Sequence, residues 1–182
     1  MKIKESEIML EFPDENYFRL CDCDGYKTIQ NNLAEMDVCW YDQSNDILYI
    51  IELKNWENNS LLEEGNPNYA PEQIEKTKQR ISDYRIGNLL KKSVDTTCMF
   101  MSILLGKESG NKIQQCSPFT ISTATSIKLL SIVNWTDPDS VYISMINTAY
   151  KSKFKPYAAL FGIKSYLVLP KDEASKRFAW IS

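Results

Sequence analysis

Histidine is absent from this 182-residue chain, and that absence excludes more chemistry than any motif in it. Serine and cysteine hydrolases with an imidazole base, and zinc sites built on histidine, need a side chain the protein lacks. Catalysis here must rest on carboxylates, lysine, tyrosine, cysteine or a hard metal ion. Long apolar runs are missing too. No window approaches the roughly 18 consecutive apolar residues of a membrane span, and Met1-Lys2-Ile3-Lys4-Glu5 is not followed by the apolar stretch of a secretory signal. A soluble, intracellular (cytoplasmic) protein with no membrane partner is expected. Cysteine numbers only five, an odd count without such a signal, which fits free thiols in a reducing compartment better than a disulfide framework. No internal repeat or low-complexity tract is present.

What remains is ordinary globular material, 43% hydrophobic and 25% charged, enough for one domain spanning 1–182. Its net charge of −3 conceals an asymmetry: residues 1–75 hold 5 Lys+Arg against 17 Asp+Glu, and residues 76–182 hold 16 against 7. A basic part suits a phosphate backbone and an acidic part suits divalent cations. Attraction between the two parts within the fold accounts for the pattern equally well. Carboxylate oxygens are natural ligands of Mg²⁺ and Mn²⁺, so an enzyme made from this inventory leans towards phosphate chemistry.

Along the chain, Ile8, Leu10 and Phe12 alternate with Glu7, Met9 and Glu11, and with Tyr17–Leu20 beyond a Pro13–Asn16 turn they read as an N-terminal β-hairpin. A strand is expected from Leu33 to Tyr41 and, after the polar turn Asp42–Asp46, a second at Ile47–Ile51. The second is continuously apolar, as in a central strand covered on both faces. Residues 55–70 read as a loop and Pro71 to Tyr84 or Ile86 as a helix that Gly87 ends. Thr97–Leu105 reads as a buried strand, 107–117 as a connection, and 127–133 as helix or strand. Pro138–Tyr150 reads as a helix, with a further turn or two after Pro156, and Tyr166–Leu169 as a strand. The expected class is α/β, a central mixed β-sheet flanked by helices.

Glu52-Leu53-Lys54, the one Glu-x-Lys or Asp-x-Lys in the chain, follows directly on the apolar run. Two charged groups on one face at the end of a central strand must be hydrated, paired or bound to something. If Gln43–Asp46 form a four-residue loop, residues face each other when their numbers add to 89, which sets Asp37 against Glu52 and Glu35 against Lys54. Opposed Cβ atoms lie about 5 Å apart, close enough for two carboxylates to share one cation. The other parity would press Asp37 against Ile51, at the cost of burying a charge among aliphatic groups. An ion-pair cluster at a sheet end is the structural alternative, though such clusters rarely offset their desolvation.

Glu35-Met36-Asp37-Val38-Cys39-Trp40-Tyr41, a short turn and Ile50-Ile51-Glu52-Leu53-Lys54 resemble the core hairpin of PD-(D/E)XK nucleases. The resemblance implies a restriction-endonuclease-like core that hydrolyses phosphodiester bonds of DNA or RNA with Mg²⁺ or Mn²⁺, an endonuclease more readily than an exonuclease. It also implies Asp37 and Glu52 as metal ligands, the Leu53 backbone carbonyl as a further ligand, and Lys54 as the group that orients the attacking water. Met36 stands where a proline often precedes the aspartate. Glu7, Glu11 and Glu15 are alternatives for a further acid that relatives carry on a helix, and Glu35 is a local one. A polar residue on the following helix often reaches the site, and Gln73, Lys76 and Arg80 share one helical face. A solvated face explains those three as well.

Cys21-Asp22-Cys23-Asp24-Gly25 has fragments of a thiol site and of a calcium loop but the complete ligand set of neither, and reads as a tight turn. Lys151, Lys153 and Lys155, interleaved with Tyr150, Phe154 and Tyr157, suggest a nucleic-acid backbone contact or an exposed helix end. The rival functional reading is a non-catalytic nucleic-acid-binding module that keeps the nuclease fold within a larger assembly; a homodimer or larger assembly is the expected association in either reading. A third is an α/β interaction protein with no nucleic acid.

Overall fold

The computed structural model describes residues 2–56, 70–135 and 140–182. Strands β1 (Lys2–Glu5) and β2 (Ile8–Glu11) make a separate antiparallel hairpin. Ser6 and Glu7 between them have φ of 52° and 61°, the left-handed pair of a type I′ turn. Ile8, Leu10 and Phe12 are buried, as their alternation implies. The partner differs from the expected one. Alternation identifies a strand but not its mate, and the preceding strand closes a tighter turn than Tyr17–Leu20 could. Strand β3 (Tyr17–Phe18) pairs instead with β4 (Val38–Asp42). At the other end of the chain, Trp180–Ser182 lies against β2, with the Met9 N–H donating to the Ser182 carbonyl at 2.7 Å.

The main sheet has the order β3-β4-β5-β6-β7, with β5 (Ile47–Trp56) in the centre as its apolar run requires. Strand β6 (Ser126–Trp135) resolves the ambiguity over residues 127–133, and β7 (Ser165–Pro170) is the late strand. The β3, β4 and β5 neighbours are antiparallel, and β6 and β7 run parallel to β5, so the sheet is mixed. Helices α2 (Pro71–Leu104) and α4 (Ser140–Phe161) pack on one face over Cys39, Leu48, Ile50, Leu129, Val133 and Val168. The hairpin, α5 (Lys171–Arg177) and the C-terminal aromatics cover the other over Val38, Trp40, Ile51 and Ile132.

Several expectations change: the strand expected from Leu33 to Tyr41 begins only at Val38. Helix α2 passes through Gly87 and takes in the expected strand Thr97–Leu105 except Leu105, its C-cap. A helical glycine costs about 1 kcal/mol, less than tertiary packing supplies, and a short apolar run does not distinguish helix from strand. Buried Leu89, Ser93, Thr96, Met99 and Phe100 form the inner stripe. The connection at 107–117 contains α3 (Glu108–Gln114), and α4 continues through Pro156 as one helix. Of the expected loop over residues 55–70, Asn55 and Trp56 belong instead to β5, and residues 57–69, like the helix start expected at Pro138, lie outside the described residues.

The thiol expectation also changes. Cys23 and Cys116 are disulfide-bonded across 93 residues, leaving Cys21, Cys39 and Cys98 free. The expected turn around Cys21–Gly25 is a 3₁₀ turn leading into α1 (Asp24–Lys27), which lies close against α3: a Cβ on Gly25 would sit 2.5 Å from the Lys112 carbonyl carbon. Spacing along the chain carries no sign of this approach, and the bond removes one argument for a reducing compartment. Among the described residues no helix is long and apolar enough to cross a membrane.

Candidate active site

The β4–β5 ladder pairs Val38 with Ile51 and Asp42 with Ile47, the register whose numbers add to 89. One step beyond its last pair, Asp37 comes opposite Glu52. Even-numbered residues of β5 here face α2 and α4, so Glu52 and Lys54 project beneath α2 while Leu53 turns to the opposite core. Asp37 is fixed from below and above: the Leu53 N–H donates to its Oδ2 at 2.7 Å, and Lys92 Nζ of α2 stands 3.4 Å from its Oδ1. The segment before it is held to α2 by Ala34 N–H donating to Asp95 Oδ2 and Met36 N–H to Thr96 Oγ1.

Glu52 is fully buried. Its Oε1 lies 2.5 Å from Lys54 Nζ and 2.8 Å from Lys92 Nζ. Both are ion pairs by distance without good hydrogen-bond direction, and Oε2 has no hydrogen-bond partner among the described residues. Burial, followed by repulsion from Asp37, raises the Glu52 carboxyl from 4.5 to about 7, against the opposing pull of Lys92 and Lys54. Burial by itself lowers the Lys92 ammonium, but the neighbouring Glu52 and Asp37 outweigh it and leave it raised. Next along α2, buried Ser93 hydrogen-bonds the buried Tyr150 hydroxyl of α4 at 2.8 Å, so side chains close the floor of the site. Asp37, Lys54 and Lys92 side chains are 12%, 28% and 22% exposed and form its opening.

Lys92 is the site residue that sequence reasoning missed. A helix ended at Gly87 cannot include it. The available signal was a lysine placed at i+3 from Leu89 and i−4 from Thr96, within the buried stripe of α2. Gln73, Lys76 and Arg80 are exposed near the start of the same helix, roughly 18 to 28 Å from Lys92 along its axis. Gln73 accepts the Ala70 N–H and Lys76 pairs with Glu72, so the structure does not bring this trio to the carboxylates. Glu35 does not meet Lys54, because β4 begins only at Val38; it accepts the Tyr26 hydroxyl instead. Glu7 accepts Asn134 Nδ2, Glu11 pairs with Lys2, and Glu15 is exposed.

The Leu53 carbonyl faces the β4 side with its N–H and accepts the Ser6 hydroxyl at 3.2 Å, which leaves one lone pair. Lys153 and Lys155 are exposed on α4, and Lys151 lines a hollow with Glu173 and Arg177. Tyr150 and Phe154 stack on each other in the core, so this stretch is not an aromatic platform. Beyond Lys54, Arg85 of α2 lies 4.8 Å from the Trp56 ring centroid and 5.4 Å from that of Trp135.

No known relative decides the matter. Neither family models, curated proteins nor solved structures give a match to this chain. The donors that could hold a hard cation are two facing carboxylates, one of them with a buried oxygen that makes no hydrogen bond, and a backbone carbonyl. Among the described residues no group of three or more acidic, cysteine or histidine side chains is placed to hold a metal ion, so this centre offers two carboxylates and no third such side chain.

Proposed function

We propose that the chain is a divalent-metal-dependent nuclease of the PD-(D/E)XK type acting on DNA or RNA, with Asp37, Glu52 and Lys54 at its centre. The observation that carries this reading is the β4–β5 register, which brings Asp37 to Glu52 and leaves Lys54 two residues further along the same face. Asp37 Oδ1, Glu52 and the Leu53 carbonyl would hold Mg²⁺ or Mn²⁺. Such a cation supplies charge neutralisation for the phosphodiester and a more acidic water. Lys54, an ammonium that cannot ligate a cation, orients the attacking water and offsets charge gathering on the phosphate. Water's oxygen bonds to phosphorus and gives up one proton to solvent as the ester P–O bond breaks, and the departing oxygen takes a proton from solvent.

A second reading, a nucleic-acid-binding module without catalysis, draws on the near-cancellation of charge by two carboxylates and two ammoniums. The test is incubation with supercoiled DNA, linear DNA, single-stranded DNA and RNA in Mg²⁺, Mn²⁺ or EDTA. Cleavage that EDTA stops supports the nuclease. Salt-sensitive binding without cleavage in either metal favours the module.

A further inference from the structure

The Lys92 ammonium occupies the place between the two carboxylates where a shared cation would sit. It lies 2.8 Å from Glu52 Oε1 and 3.4 Å from Asp37 Oδ1. Lys54 reaches the same Glu52 oxygen at 2.5 Å from the strand side, so one carboxylate oxygen meets two ammoniums. For Lys54 this follows from position, since it shares the face of Glu52 on β5. Lys92 comes from another element, three quarters buried, and inserts a charge into an otherwise uncharged helix stripe. Such an insertion is costly unless it answers a comparable cost. That cost is visible: a fully buried glutamate beside an aspartate, repelling each other if nothing positive lies between them.

Resting on the nuclease reading, we infer that Lys92 is an internal stand-in for the metal, a tethered cation that a divalent ion must displace from Asp37 and Glu52. The lysine has two consequences. It keeps the metal-free centre folded and nearly neutral, and it lowers the apparent affinity for metal by competing for the same oxygens. Its long flexible stem and partial exposure let the displaced ammonium swing to the opening, where an incoming phosphate is its natural new partner. Lys92 is thus a positioning residue that couples metal entry to substrate contact.

The test compares Mn²⁺ binding to the full-length parent, Lys92→Met and Lys92→Arg by isothermal titration, without substrate. Lys92→Met should bind Mn²⁺ about tenfold or more tightly than the parent, because the competitor is gone. Lys92→Arg, which keeps the charge, should remain within a few-fold of the parent. In thermal melts the metal-free Lys92→Met protein should be less stable than the parent, and Mn²⁺ should raise its Tm by more than it raises the parent's. If Lys92→Met does not fold, Lys92→Gln takes its place in the same comparison. Equal or weaker Mn²⁺ binding by the uncharged variant, with a parent that binds, overturns the stand-in role and leaves the nuclease reading intact. No Mn²⁺ binding by parent or variant at millimolar metal overturns both.

Discussion

Replacing Glu52 by glutamine removes one titrating proton site while keeping the side chain's shape, and its effect should depend on pH in a direction the structure sets. Below pH 4.5 the carboxyl is protonated whether the chain is folded or not. As pH rises, the unfolded chain releases this proton near 4.5, whereas the folded protein holds it until about 7. Over that interval the folded state binds more protons, so Glu52 lowers stability as pH increases and levels off above about 7. At about 1.4 kcal/mol per pH unit, the displacement from 4.5 to about 7 corresponds to roughly 3 kcal/mol, undiscounted for screening because Glu52 is fully buried. Lys92, raised above 10.5, stays charged throughout and does not blur the window. The stability of Glu52→Gln relative to the parent should therefore improve by roughly 3 kcal/mol between pH 4.5 and pH 8. Urea denaturation in EDTA, followed by tryptophan fluorescence, measures both proteins at each pH. Because the difference is taken at fixed pH, every other titrating group cancels to first order. A difference that stays constant across the interval would show Glu52 ionising as it does in water, and would contradict a carboxylate raised by burial and by Asp37.

Changing Lys151, Lys153 and Lys155 together to alanine is expected to weaken nucleic-acid binding and reduce its salt dependence if this end of α4 contacts the backbone; equal salt slopes for mutant and parent would remove it from the interface. Replacing Cys23 and Cys116 by serine opens a loop of 93 residues and should cost about 2 to 4 kcal/mol in urea denaturation, whereas an unchanged midpoint would argue that the bond does not form in solution. Asp37→Ala should abolish any rise in Tm that millimolar Mn²⁺ produces in the parent, and an equal rise in both would move the metal elsewhere.

The hairpin at the centre of the fold was legible because it rests on local rules. A polar loop of known length fixes parity, parity decides which carboxylates meet, and the cost of burying Asp37 against Ile51 selects the register seen between Val38 and Ile51. The continuous apolar run Ile47–Ile51 likewise announced a central strand. What was illegible depends on partners distant in sequence. Thr97–Leu105 has the composition of a strand and becomes helix because α2 continues to bury Met99 and Phe100 against the sheet. The same error, ending the helix at Gly87, hid Lys92, since a lysine's approach to Asp37 across 55 residues is a tertiary fact. The mate of β2 and the Cys23–Cys116 bond belong to the same class: each residue pattern is compatible with several partners, and packing makes the choice.

The most direct test of the account is the behaviour of Lys54→Ala set beside that of Glu52→Ala, each shown to be folded, in paired measurements of cleavage and Mn²⁺ binding. Lys54 and Glu52 leave the same face of β5 two residues apart, yet one can ligate a cation and the other can act only on water or phosphate. Lys54→Ala is expected to lower cleavage by about 100-fold or more while retaining Mn²⁺ binding, whereas Glu52→Ala is expected to lose both. A folded Lys54→Ala protein that cuts its substrate at the parental rate would contradict the assignment of this centre.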